Sequence, residues 1–143
     1  MRVVAGFLGF LALVATASAE PVQTEITGPD GQKMMGDPVA GDKAFGKCRA
    51  CHSTAPGDNK IGPTLYGVIG RLAGTVEGYN YSKPNKESGI TWTEQEMFDY
   101  LENPRKKIPG TKMAFAGIKK PEERADLIAW LQEDYKKQSS GTP

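Results

Sequence analysis

Between Ser53 and Gly89 the chain is broken by Pro56-Gly57, Gly62-Pro63, Gly67, Gly70, Gly74, Gly78 and Pro84, a spacing too tight for long helices or strands. Loops of that length are uncommon inside a compact domain unless they wrap around something that is not protein. The flanking sequence supplies only short helices. Asp37-Pro38 reads as a cap followed by proline at the first helical position, after which Ala40, Ala44, Phe45 and Cys48 share a face. Thr93-x-x-Glu96 is a capping box opening a helix with Met97, Phe98, Tyr100 and Leu101 on its apolar stripe, and Pro104 ends it. A second loop, Arg105 to Lys120, leads to Pro121-Glu122-Glu123, where proline and acids suit a helix start and its dipole. The helix beyond buries Leu127, Ile128, Trp130, Leu131 and Tyr135, and Lys136 and Lys137 lie near its end. No strand, repeat or low-complexity tract is visible, so the expected class is all-α. Helices this short are marginal in water and cannot bury a large core alone. A large apolar cofactor in the middle explains both the long loops and the thin core.

The ends of the chain read differently. Arg2, the apolar run Val3 to Val14 and the small residues up to Ala17-Ser18-Ala19 have the form of a secretory signal cut before Glu20. An uncleaved anchor is the alternative, because the apolar run lies at the lower edge of what spans a bilayer. Residues 20–36 are polar, without an apolar period, and read as a flexible lead segment. The folded domain is expected over 37–138, with a short tail at 139–143. The whole chain of 143 residues carries 18 Lys+Arg against 17 Asp+Glu. Loss of residues 1–19 removes one arginine and no acid, which leaves no net charge. Nucleic-acid binding, which needs a basic domain or stripe, is excluded on that balance.

The chain's two cysteines and its one histidine all fall in Cys48-Arg49-Ala50-Cys51-His52. Two cysteines cannot build a disulfide framework, and with one histidine they leave a structural zinc site a ligand short. A thioredoxin-like pair belongs after a strand in a βαβ unit, which this pattern lacks. C-x-x-C-H is the signature of covalent c-type haem attachment: the thiols add to the two vinyl groups, and His52 rises beneath the iron as a ligand. The sixth iron position separates ligand chemistry from electron transfer. Met1 lies in the signal, Met34 and Met35 in the lead segment, and Met97 on a helix stripe where packing accounts for it. Met113 lies in a polar loop, and from position alone both gap-filling and ligation are open to it.

Taken together, the motif at 48–52, Gly62-Pro63-Thr64-Leu65, Gly70-Arg71, Gly89-Ile90-Thr91-Trp92, Tyr100 to Pro104, Ile108 to Met113 and Arg124 to Leu131 resemble a class I cytochrome c, of the mitochondrial and bacterial c2 and c-550 type. The resemblance runs from about Gly41 to Gln132. It implies the small cytochrome c fold, three main helices and long loops wrapped around one covalently bound haem c. It implies His52 and Met113 as axial ligands, the Pro63 carbonyl as partner of the second His52 ring N–H, and Tyr81 and Trp92 as donors to a buried propionate with Arg71 close by. Tyr100 and Thr111 are implied to support the Met113 loop, and Asn85 to join a polar network there. Gly41 and Phe45 are implied to meet Leu127 and Trp130 where the terminal helices cross. Trp130 in place of the usual mitochondrial tyrosine, and Phe45 three residues before Cys48, match bacterial relatives.

The function so implied is that of a soluble periplasmic carrier. It passes single electrons from a reductase or dehydrogenase, a bc1-type complex among them, to a terminal oxidase or reductase. The implied form is a monomer. A haem enzyme or gas sensor would need a distal residue for proton transfer, and the chain has no second histidine. Lys47, Lys60, Arg105, Lys106, Lys107, Lys112, Lys119 and Lys120 flank the motif and the Met113 loop. They are expected either to steer acidic partners to the haem edge or to form an ordinary solvated surface.

Overall fold

A computed structural model describes residues 20–141. The signal-peptide reading of residues 1–19 and the last two residues of the tail lie outside them. In chain order the elements are β1 (Val22–Thr27), β2 (Lys33–Gly36), α1 (Pro38–Phe45), α2 (Lys83–Lys86), α3 (Glu94–Glu102), α4 (Pro104–Lys107) and α5 (Pro121–Ser139).

The helix ends form where the cap residues place them. The Asp37 side chain accepts from the Val39 N–H with Pro38 at the start of α1, and Thr93 accepts from the Glu96 N–H at the start of α3. Pro104 both stops α3 and begins α4, whose cap is Asn103 accepting from the Lys106 N–H. α1 is shorter than its stripe suggests. It ends at Phe45 and the chain continues in turns, with Cys51 N–H and His52 N–H both donating to the Cys48 carbonyl at 3.0 and 2.9 Å.

α1 crosses α5 at Gly41, as the resemblance implies. A Cβ there would overlap the Asp126 carbonyl oxygen and lie 2.6 Å from the Trp130 Cβ, so only glycine allows the two backbones to approach this closely. Phe45 and Trp130 stack at 4.4 Å between ring centroids. Leu127, Ile128 and Ala129 on α5 are at most 1% exposed, and Met97, Phe98 and Leu101 of α3 join the same core.

Two expectations need correction. The reading of three helices and no strand omits two single-turn helices, α2 and α4, and an antiparallel hairpin, β1–β2. The hairpin lies in the segment read as a flexible lead. Thr24 and Ile26 turn inward at the strand period of two, and Ile26 is fully buried. Gly36 backs onto the Ala125 carbonyl and the Ala129 methyl of α5. One of the two buried side chains of β1 is a threonine, so the apolar alternation is too short to stand out in sequence.

Candidate functional site

α3, α5, the turn after α1 and the loops 61–92 and 111–115 enclose a cleft of about 290 Å³. All eleven residues singled out in the sequence line it: Cys48, Cys51, His52, Pro63, Arg71, Tyr81, Asn85, Trp92, Tyr100, Thr111 and Met113. The rest of the wall is mainly apolar, including Leu65, Val68, Met97, Leu101, Leu127 and Leu131.

The floor is the motif turn. Cys48 and Cys51 are not joined to each other. Burial pushes the Cys48 thiol up to about 11, with Lys47 pulling against that shift. His52 Nδ1 lies 2.8 Å from the Pro63 carbonyl oxygen. A carbonyl can only accept, so Nδ1 carries the proton and Nε2 keeps its lone pair for a metal. Burial lowers the His52 pKa, which favours this neutral form. Gly62 has no room for a side chain, because a Cβ would fall 2.7 Å from Nδ1 and closer still to Cε1.

Across the cleft, Met113 is held from two sides. The Tyr100 hydroxyl donates to its Sδ at 3.1 Å, and its own N–H donates to Thr111 Oγ1 at 3.3 Å. Burial raises the Tyr100 pKa, and a hydrogen bond with the Thr111 side chain opposes the shift. Trp92 is tilted against Tyr100 with centroids 4.7 Å apart. The Arg71 guanidinium donates to the carbonyls of Tyr66 at 2.8 Å and Thr64 at 3.0 Å, and stays close enough to Tyr81 to lower that phenol's pKa against a larger rise from burial.

A haem fits these residues. The cleft is mostly apolar, yet Ser82 Oγ and Asn85 Oδ1 are buried on its wall with no protein partner. Orphaned polar atoms are rare in a finished core and call for a polar group on the occupant. Ser82 and Tyr79, whose hydroxyl donates to the Ile61 carbonyl at 2.8 Å, also belong to the wall and are absent from the sequence reading. Tyr79 lies two residues before Tyr81 and shares its pattern, whereas a lone serine in a loop gives no signal.

The basic set divides. Lys47 pairs with Glu123 and Lys107 with Glu96, while the other six carry no ion pair among the described residues.

The cytochrome c family profile matches residues 38–133. The chain belongs to the cytochrome c family. Cytochrome c of Arabidopsis thaliana is 50% identical over 105 residues, which is 72% of this chain and 94% of that one. Cytochrome c of Trypanosoma brucei brucei is 63% identical over 76 residues, covering 53% of this chain and 82% of its own. Among solved structures, cytochrome cH from Methylobacterium extorquens superposes with a TM-score of 0.66 at 46% identity, over 68% of this chain and 99% of that one. This cytochrome c is therefore an electron-transfer protein rather than an enzyme, with the cytochrome c fold and one haem c attached covalently, for which Cys48 and Cys51 supply the C-x-x-C-H thiols.

Proposed function

We propose that this cytochrome c is a soluble periplasmic carrier whose iron is held by His52 and Met113, passing single electrons from a reductase or dehydrogenase to a terminal oxidase or reductase. The observation that carries the reading is the presence of two suitably prepared donors in one cleft: a neutral His52 fixed through Nδ1 by Pro63, and a Met113 thioether fixed by Tyr100. The haem supplies one iron that gains or loses an electron, and a His/Met pair favours the ferrous state relative to two nitrogen ligands.

The chain's own residues do the rest. Pro63 orients the imidazole, as outer partners of metal-bound histidine do. Tyr100 and Thr111 hold the thioether loop. Leu65, Val68, Leu127 and Leu131 exclude water, so few dipoles need to turn when the charge changes. Arg71, Tyr81 and Trp92 are positioned to offset and bind propionate charge, with Asn85 in the adjoining polar network. Lys60, Arg105, Lys106, Lys112, Lys119 and Lys120, free of ion pairs among the described residues, offer a basic rim to acidic redox partners such as a bc1-type complex. The form of residues 1–19 supports export, and N-terminal sequencing of the exported protein is expected to begin at Glu20.

Carbon monoxide tests the ligation. The reduced wild type is expected not to bind it at neutral pH, while Met113→Ala binds it rapidly. Rapid binding by the wild type would overturn the assignment.

A further inference from the structure

The hairpin lies outside the family match, which begins at residue 38, yet residues inside that match carry acceptors for it. Glu94, the first residue of α3, divides its carboxylate between two elements. Oε2 accepts the Glu25 N–H of β1 at 2.6 Å, and Oε1 accepts the Gln132 Nε2–H of α5 at 2.8 Å. The next side chain, Gln95, accepts the Thr27 N–H at 2.8 Å through Oε1. These are outward-facing N–H groups of an edge strand, which natural sheets otherwise cover or leave to water.

The other end of α3 holds the methionine segment. Ile118 N–H donates to the Leu101 carbonyl at 2.7 Å, Lys119 Nζ to the Glu102 carbonyl at 2.7 Å, and Tyr100 to Met113 Sδ at 3.1 Å. Residues 109–120 contain no helix or strand, so the Met113 loop depends on such outside anchors. One nine-residue helix thus grips the hairpin at its N-terminus and the methionine loop at its C-terminus.

We propose that the β1–β2 hairpin is a clasp on α3 that holds the Met113 loop closed, with Glu94 as the positioning residue through which it acts. The inference rests on Met113 being an axial ligand. With the clasp made, α3 is fixed at its hairpin end, and releasing Met113 requires breaking the Tyr100 and Leu101 contacts against a stationary helix. With it broken, the start of α3 loosens and the loop opens at lower cost, as weakly anchored segments do.

The test is spectrophotometric titration of the ferric holoprotein with imidazole, which competes for the position that Met113 vacates. Native-state amide exchange over residues 111–117 is measured alongside it. Glu94→Ala is expected to bind imidazole about fivefold more tightly than wild type, equivalent to about 1 kcal/mol of easier opening, and to exchange those amides faster. Glu94→Gln keeps an acceptor for Glu25 and a partner for the Gln132 amide, and is expected to restore wild-type behaviour. Tyr135→Ala, which removes the ring contact with Tyr66 away from α3, is expected to lower the urea midpoint without changing imidazole affinity. A Glu94→Ala protein with a lower urea midpoint but unchanged imidazole affinity and exchange makes the hairpin a plain brace and overturns the proposal. A wild type that binds imidazole as readily as Met113→Ala removes the ligand assignment, and the clasp with it.

Discussion

Ile26→Ala asks whether the hairpin belongs to the folded core. Ile26 is fully buried on β1, in the core cluster with Phe98 and Ile128. The substitution removes three carbons, worth roughly 2.4 kcal/mol at about 0.8 kcal/mol each. The cavity left behind brings the expected loss to about 3 kcal/mol. The loss has a ceiling, because once it exceeds the free energy with which the hairpin docks, the hairpin detaches and no further stability is lost. With a urea slope of about 2 kcal/mol/M for a chain of this size, the holoprotein midpoint is expected to fall by about 1.5 M. Met35→Ala on the same hairpin is the control, since Met35 is 53% exposed. Its expected change is within about 0.5 kcal/mol. Equal midpoints for the two variants would mean that the hairpin docks too weakly to count as core, and the packing argument for Thr24, Ile26 and Gly36 would fail.

Other outcomes follow from the same geometry. Gly41→Ala places a methyl against the Asp126 carbonyl and the Trp130 Cβ, both on the rigid part of α5, and is expected to cost about 2 kcal/mol or more in thermal denaturation. Gly62→Ala pushes on the His52 ring, and the visible spectrum of the exported protein is expected to show altered or lost ligation. A Cys48→Ser, Cys51→Ser chain without haem is expected to be largely unfolded by circular dichroism, and full helicity would contradict the thin-core argument. Tyr100 gives a pH dependence. Burial raises its pKa above the usual 10.0, so the folded state holds that proton longer than the unfolded state. Stability from this group is constant below about pH 10 and falls as pH rises through the folded value. Tyr100→Phe is expected to flatten the alkaline part of a urea-midpoint profile.

The parts of this molecule that show in sequence are those with a local cause. The caps at Asp37 and Thr93 and the prolines at 38 and 121 act within one turn, and α1, α3 and α5 start where they put them, whereas Pro104 reads in sequence only as the end of α3. The motif turn is local too. Most of the other cleft residues show only through the resemblance: Pro63, Arg71, Tyr81 and Asn85 carry no intrinsic mark of a site, and the resemblance alone points to them. The hairpin escaped both routes. Its inward face is only Thr24 and Ile26 over most of β1, its second strand is four residues long, and the side chains that accept from it, Glu94 and Gln95, sit 69 and 68 positions away. An exposed-looking glutamate at a helix start also reads as a dipole partner, which hid its role as an acceptor for a distant strand. Ser82 was missed because nothing near it in sequence distinguishes a buried serine from a solvated one.

The loops are not slack despite lacking regular structure. Gly62 N–H donates to the Cys51 carbonyl and Leu65 N–H to that of Ser53, which fastens the Pro63 loop to the motif turn. Arg71 and Trp92 are joined through the Trp92 N–H, Gly70 donates to the Trp92 carbonyl, and Ala73 donates to that of Ile90, which zips residues 70–73 to residues 90–92. Thr64 Oγ1 donates to the Ala55 carbonyl at 2.6 Å. Each fastening joins segments that both touch the cleft or its immediate flank, so a displacement of one donor is resisted by backbone bonds rather than by side-chain packing alone. A carrier must change charge with little rearrangement. With only three helices longer than one turn among the described residues, that stiffness comes chiefly from these cross-loop bonds. The Met113 segment, where the one backbone-to-backbone bond donated between residues 109 and 117 is the local one from Thr111 to the Ile108 carbonyl, is where motion is expected to concentrate.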